Sequence, residues 1–303
     1  MAESLRPGRD ALRPGRDALR LGRRRFAPGD LAVMAIVNRT PDSFFDRGVT
    51  FAADSALRAV ERAVTEGAEI IDIGGVKAGP GDEVDVAEEI RRTVGTIAAV
   101  RAAFPDVVIS IDTWRAEVAV EAVAAGADLL NDTWSGADPA LAEVAAAAGA
   151  GLVCSHAGGL TPRTRPHRAA FPDLLADVVG TVIGLADRAV RLGVRPDGIL
   201  IDPAHDFGKN TRHSLEITRR LDELTGTGWP VLVALSNKDF IGETLDLPLD
   251  QRLEGTLAAT AVSAWLGARV FRAHQVRPTR RLLDMVASIR GDRPPALSRR
   301  GLA

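Results

Sequence analysis

A closed (β/α)8 barrel of the TIM type, an α/β fold in a single domain, is predicted by three observations on this 303-residue chain. From Leu31 onward, apolar runs of four to six residues alternate with amphipathic stretches of ten or more, the pattern of parallel strands buried between crossover helices. Eight such pairs occur, more than the five or six strands usual in an open doubly wound sheet. Polar residues stand where the runs stop (Asn38, Asp112, Asn131, Asp202, Lys238, Arg272 and His274), as the site residues of such a barrel should.

The apolar runs place strands at 32–37, 70–73, 107–111, 129–131, 151–155, 199–201, 231–235 and 270–273. Helices are expected between and after them near 52–66, 85–103, 116–125, 139–148, 174–192, 212–221, 252–267 and 278–290. Alanine-rich stretches such as 140–150 combine high helix propensity with apolar spacing. Upstream, the heptapeptide Arg-Pro-Gly-Arg-Asp-Ala-Leu occurs twice, from Arg6 and from Arg13, and is followed by Arg23-Arg24-Arg25. Pro and Gly interrupt any helix there, and the apolar content is too low to offset ordering entropy, so 1–28 is expected to be a disordered basic tail. The barrel is assigned to 29–292 and a C-terminal tail to 293–303.

Composition narrows the function. Hydrophobic content of 46% and charged content of 26% suit a globular chain with a sizeable core. With 38 basic against 40 acidic residues, nothing in the charge balance favours nucleic acid or an anionic membrane, and a small molecule is the expected partner. No apolar stretch reaches a membrane-spanning length of about 18 residues, and the N-terminus lacks the apolar core of a secretory signal. A single cysteine, Cys154, cannot form an internal disulfide, so a reducing cytoplasm is expected.

In a barrel of this kind the polar strand ends converge on one mouth. Asp112 and Asp202 beside Lys238 and Asn131 suit a flat heterocycle carrying several N–H donors and acceptors. Asn38, Arg272 and His274 come from the first and eighth strands, neighbours in a closed barrel. An amide, a guanidinium and an imidazole there form a natural phosphate or pyrophosphate grip, and the amide oxygen can ligate Mg2+. His156 reads as a packed core histidine, Lys209 as a loop or helix-start residue, and Trp114, Trp134 and Trp265 as packing groups, the first two narrowing the mouth. The Gly-rich loop 74–81 lacks the spacing of a nucleotide cradle.

The run Asn38-Arg39-Thr40-Pro41-Asp42-Ser43-Phe44 resembles the first-strand motif of dihydropteroate synthases, Asn-Val-Thr-Pro-Asp-Ser-Phe. Asp72-Ile73-Gly74-Gly75, Ser110-Ile111-Asp112-Thr113, Asn131-Asp132, Ser155-His156, Asp202-Pro203 with Phe207-Gly208-Lys209-Asn210, Ser236-Asn237-Lys238 and Arg272-Ala273-His274 follow that family's blocks in order, over about residues 31–290. The resemblance implies condensation of p-aminobenzoate with a dihydropterin that carries a CH2-pyrophosphate. It implies pterin binding by Asp112, Asn131, Asp202 and Lys238, and pyrophosphate binding by Asn38, Arg272 and His274 with Mg2+ at Asn38. Asp42 and Asp46 become catalytic-loop candidates in a first loop that closes over the reacting centre. A homodimer through late barrel helices, including the stretch 257–266, is implied as well.

The departures from that family fall on the second substrate. Where the family has Glu-Ser-Thr-Arg-Pro-Gly, this chain has Val76-Lys77-Ala78-Gly79-Pro80-Gly81, so the Thr and Arg positions are Ala78 and Gly79. Ser-Arg-Lys-Ser becomes Ser236-Asn237-Lys238-Asp239, replacing a stacking guanidinium with an amide and a carboxylate-receiving serine with a carboxylate. Phe45 and Arg47 replace a serine and a glycine of the first loop, and Ser155 and Ala157 stand where methionines usually face the pterin. Charge-assisted hydrogen bonds to a carboxylate contribute about 1.5–3 kcal/mol each, so losing two or three removes roughly 3–9 kcal/mol. The chain thus resembles a divergent second paralogue, expected to be inactive or very weak as a synthase. A working synthase, a transferase using another nucleophile and a regulatory partner of a true synthase are the alternatives.

Overall fold

Each of the eight apolar runs forms a parallel strand in the computed structural model, which describes residues 19–40, 53–164 and 170–301. The barrel strands are β3 (Ala32–Asn38), β4 (Ile70–Gly74), β5 (Val108–Asp112), β6 (Leu129–Asp132), β7 (Gly151–Ser155), β8 (Ile199–Asp202), β9 (Leu232–Ala234) and β10 (Val270–Ala273). They follow a short N-terminal pair, β1 (Leu19–Leu21) and β2 (Arg24–Phe26). Strand order runs β8-β7-β6-β5-β4-β3-β10-β9, and the ring closes where Ile201 pairs with Val231 and its N–H donates to the Pro230 carbonyl at 3.0 Å. Every expected strand is present, with no end moved by more than one residue.

The helices are α1 (Ala53–Thr65), α2 (Val86–Ala103), α3 (Ala116–Ala124), α4 (Leu141–Ala148), α5 (Leu174–Leu192), α6 (Thr211–Arg219), α7 (Leu221–Thr225), α8 (Asp239–Leu245), α9 (Leu253–Trp265) and α10 (Val276–Arg290). Side-chain caps start three of the long ones: Asp85 accepts from the Glu88 N–H at 2.8 Å, Asp173 from Ala176 at 3.0 Å, and Asn210 from His213 at 2.9 Å. No described helix is long and apolar enough to cross a membrane.

Strand alternation divides the apolar side chains into two cores. Val33, Ala35, Ile71, Ile73, Ile109, Ile111, Leu152 and Ile201 pack outward against the helices, while Met34, Ile70, Val108, Leu129, Val153, Leu200, Leu232 and Val270 fill the barrel. The inner core also takes in Leu19, Leu21 and Phe26, all buried. This corrects the expectation of a disordered tail across 1–28: residues 19–26 form an antiparallel hairpin that stoppers the N-terminal end of the barrel, and 1–18 lie outside the described residues. Three apolar residues in an arginine-rich segment suffice because they enter a preformed ring of strand side chains.

Candidate active-site mouth

The carboxyl ends of the strands raise a row of inward residues above the apolar barrel filling, which alternation fixes two residues beyond each inner-core position. Above Val108 stand Ser110 and then Asp112; above Leu129 stands Asn131; above Val153, Ser155; above Leu200, Asp202; above Val270, Arg272.

Asp72 lies at the centre of this row, two residues past Ile70, and is fully buried. Its Oδ1 accepts from Ser110 Oγ at 2.6 Å, and Asn131 Nδ2 lies 3.3 Å from each of its oxygens. Arg272 donates from Nε to Asp72 Oδ2 at 2.6 Å and from Nη2 to Asp112 Oδ2 at 2.8 Å. Thr133 Oγ1 approaches Asp112 Oδ1 at 3.4 Å. Burial pushes the Asp112 carboxyl up to about 7 from the usual carboxylate range, with Asp72 and Glu89 adding to the shift and Arg272 opposing it.

On the other side of the mouth, Asp202 Oδ1 accepts from the Ala204 N–H at 2.7 Å. Burial raises its pKa against the pull of Lys238. Lys238, the residue before α8, donates to the His205 carbonyl and lies 4.8 Å above the centre of the Phe207 ring. Phe207 meets Trp134 edge to face at 5.2 Å, and Trp134 meets Trp114 at 6.4 Å, so an aromatic wall joins the loops after β5, β6 and β8. The two tryptophans expected to narrow the mouth are in this wall.

The structure therefore brings Asp112, Asn131, Asp202, Lys238 and Arg272 to one end of the barrel. The Arg272 guanidinium, expected to act with Asn38 and His274, is turned across the barrel onto Asp72 and Asp112. Asn38 ends β3 opposite Gly74, and the His274 N–H donates to Ser236 Oγ at 3.1 Å. Asp42 and Asp46, like Phe45 and Arg47, lie outside the described residues.

The four positions that depart from the p-aminobenzoate grip are all described. Asn237 is fully buried at φ 57, a left-handed backbone that asparagine tolerates, and its Nδ2 approaches Gln275 Oε1 at 3.3 Å. Asp239 is paired with Arg252 at 3.0 Å. Ala78 and Gly79 carry no polar side chain, and the Gly79 carbonyl receives Arg163 Nε from the loop after β7 at 3.4 Å. His156 is a buried packing residue bonded through Nε2 to Asp177 at 2.7 Å, as expected.

Two residues central to the mouth escaped the strand-end rule. Asp72 sits inside an apolar run, where a lone buried carboxylate was itself a signal. Lys209 lies in the loop just before the α6 cap, as expected, but its bonding was not foreseen: Nζ donates to the carbonyls of His156 at 2.8 Å, Ala204 at 3.1 Å and Phe207 at 2.8 Å, three acceptors that match an ammonium. It ties the loop after β8 to the end of β7, and burial lowers its pKa to about 7.

Residues 34–274 match the family model described as "Pterin binding enzyme". The chain is 60% identical over 275 residues to the "Inactive dihydropteroate synthase 2" of Mycobacterium leprae (strain TN), covering 89% of this chain and 94% of that protein. It is 39% identical over 256 residues to the "Dihydropteroate synthase" of Bacillus subtilis (strain 168), covering 84% of this chain and 87% of that protein. The Yersinia pestis dihydropteroate synthase solved with a sulfonamide drug superposes with a TM-score of 0.85 at 34% identity, over 90% of this chain and 99% of that one.

Proposed function

This chain belongs to the pterin-binding enzyme family, and on that footing we propose that it is a dihydropteroate synthase-like protein that keeps most of the pterin and pyrophosphate pocket. It has lost the p-aminobenzoate site and is inactive or very weak as a dihydropteroate synthase. The observation that carries the reading is the state of the grip: Asn237 is buried against Gln275, Asp239 is a carboxylate already held by Arg252, and Ala78 and Gly79 offer no side-chain donor. A carboxylate at position 239 repels a benzoate where a hydroxyl would receive it. The 60% identity to a protein named as inactive supports the same conclusion.

Asp112, Asn131, Asp202 and Lys238 are the pterin ligands in this reading, and Asn38, Arg272 and His274 the pyrophosphate ligands. Among the described residues no group of three or more His, Cys, Asp or Glu side chains is placed to hold a metal ion. A single amide oxygen at Asn38 suits a Mg2+ that keeps its own waters and arrives with a pyrophosphate. Calorimetric titration with dihydropterin pyrophosphate, with and without Mg2+, and a coupled assay with p-aminobenzoate test the reading together. Binding without turnover is expected, and turnover at the rate of an ordinary synthase overturns it.

A homodimer through α9 and α10 is part of the proposal. Val262 and Trp265 on α9 and Met285 and Ile289 on α10 are apolar and 47–61% exposed on two helices that pack together. Sedimentation of the full chain as a monomer at micromolar concentration removes this element. Residence in the cytoplasm is proposed from the lone buried thiol of Cys154.

A further inference from the structure

Two buried polar atoms in the inward row have no hydrogen-bond partner among the described residues: Asn131 Oδ1 on β6 and Ser155 Oγ on the adjacent β7. Both residues are at most 1% exposed. Both face the barrel interior, because each lies two residues beyond an inner-core side chain, Leu129 for Asn131 and Val153 for Ser155. The orientation of the Asn131 amide is determined, since Nδ2 is directed at the Asp72 carboxylate and the oxygen must point the other way. Ser155 is paired in register with Asp202, so its hydroxyl belongs to the same layer as that carboxylate. Its backbone carbonyl is already taken by Ser135 Oγ at 2.7 Å, which leaves the side chain as the one group of the residue facing inward with its bonding capacity unused.

A buried polar group without a partner is costly, and an aliphatic side chain would fill the same place without that cost. The barrel interior immediately below is made entirely of such side chains. We infer that Ser155 is a specificity-determining ligand contact, which with Asn131 Oδ1 reads one edge of a bound heterocycle bearing an N–H next to a second polar atom. The N–H donates to Asn131 Oδ1, and Ser155 Oγ donates to or accepts from its neighbour. This rests on the proposal that the mouth takes a pterin and adds to it a hydroxyl where the resemblance leads one to expect a methionine. The pocket is thereby more polar on its β7 side, favouring ligands with a heteroatom or exocyclic amino or oxo group on that edge over ligands that present only carbon.

The test uses the full chain as wild type, Ser155→Ala and Ser155→Cys, with pterin as the calorimetric probe and thermal unfolding in the absence of ligand as a second readout. Losing one neutral hydrogen bond weakens pterin binding about 3- to 10-fold. The thiol of Ser155→Cys is a weak donor and falls with the alanine variant. Ligand-free Ser155→Ala unfolds at the same or a higher temperature, because no protein bond is lost. Equal affinity for wild type and Ser155→Ala overturns this inference alone and leaves the pterin reading standing, the hydroxyl then being satisfied by water. A lower ligand-free unfolding temperature also overturns it, since the hydroxyl is then bonded within the protein. Wild type that takes up no pterin brings down both.

Discussion

Arg272 Nη2 lies 2.8 Å from Asp112 Oδ2, so the guanidinium expected to grip a pyrophosphate is in contact with a carboxylate expected to grip a pterin. With Nε also 2.6 Å from the fully buried Asp72, Arg272 links β10 to β4 and β5. Under the proposed function, a pyrophosphate would compete for this guanidinium with two carboxylates already in place, a cost on anion binding that an arginine without such pairs does not carry.

Removing that cation has a predictable consequence. Arg272→Ala strands Asp72 with no countercharge at zero exposure, and breaking one side of a buried ion pair costs about 3–5 kcal/mol. Urea unfolding at neutral pH should show a loss of that order. Arg272→Lys should recover only part of it, because an ammonium cannot form the two-armed contact with both carboxylates. A loss under about 1 kcal/mol for the alanine variant means that the ion pair adds little net stability, its desolvation cost offsetting its attraction.

The pH dependence of stability carries the signature of Asp112. Its folded pKa of about 7 lies above the ordinary value of 3.8, so between these values the folded state binds more protons than the unfolded one. Its contribution is therefore fully present below about 3.8 and is lost as pH rises through about 7. Asp132, raised by burial to about 6, slopes the same way, so the difference between wild type and Asp112→Asn isolates the first group. The variant's denaturation midpoint should fall less than that of wild type between pH 4 and 7.5, and parallel curves contradict the assignment.

The barrel was legible because its eight apolar runs are each bounded by amphipathic stretches long enough to show a helical period. The two helices that went unread, α7 and α8, have five and seven residues, shorter than the window in which periodicity can be counted. The hairpin at 19–26 was hidden because Leu19, Leu21 and Phe26 are diluted by arginines; what orders them is the barrel interior, a long-range partner that local composition does not reveal. The strand-end rule singled out Asp112, Asn131, Asp202, Lys238 and Arg272, and the structure carries them at one face because a parallel barrel brings its strand ends together there. Asp72 was passed over because it precedes its strand end by two residues. The direction of Arg272 followed from neither spacing nor strand adjacency, because a long side chain can reach across a barrel to the strongest available charge.

Restoring the missing grip tests whether its loss alone silences the site. The combined variant Ala78→Thr, Gly79→Arg, Asp239→Ser returns two donors and a guanidinium and removes one negative charge. At about 1.4 kcal/mol per decade, regaining two charge-assisted contacts should raise p-aminobenzoate-dependent pyrophosphate release by about 10²-fold or more. Arg163→Ala should leave the wild-type rate unchanged, because its Nε is occupied by the Gly79 carbonyl. A measurable wild-type rate that disappears in Arg163→Ala identifies that arginine as a substitute grip and reinstates a working synthase.

The hairpin stopper is testable independently of any ligand. Leu21 is fully buried in the inner core, and its Cδ2 lies 2.9 Å from where a Cβ on Gly151 would stand, so the side chain is wedged against the first residue of β7. Leu21→Ala leaves a cavity that the rigid strand ends cannot collapse into, with an expected cost of about 2–5 kcal/mol. Gly22 turns the hairpin at φ 55, and a Cβ there would clash with Asp128 Oδ1, so Gly22→Ala is strained by both backbone and contact. That contact also disturbs the Asp128 carboxylate, whose Oδ2 accepts from the Ile109 N–H at 3.0 Å in β5, so the damage reaches the barrel wall itself. Both variants should lower the unfolding temperature while leaving pterin affinity at the opposite face within about twofold, as expected for distant, independent sites. A large loss of affinity with unchanged stability means instead that the hairpin and the mouth are coupled through the strands.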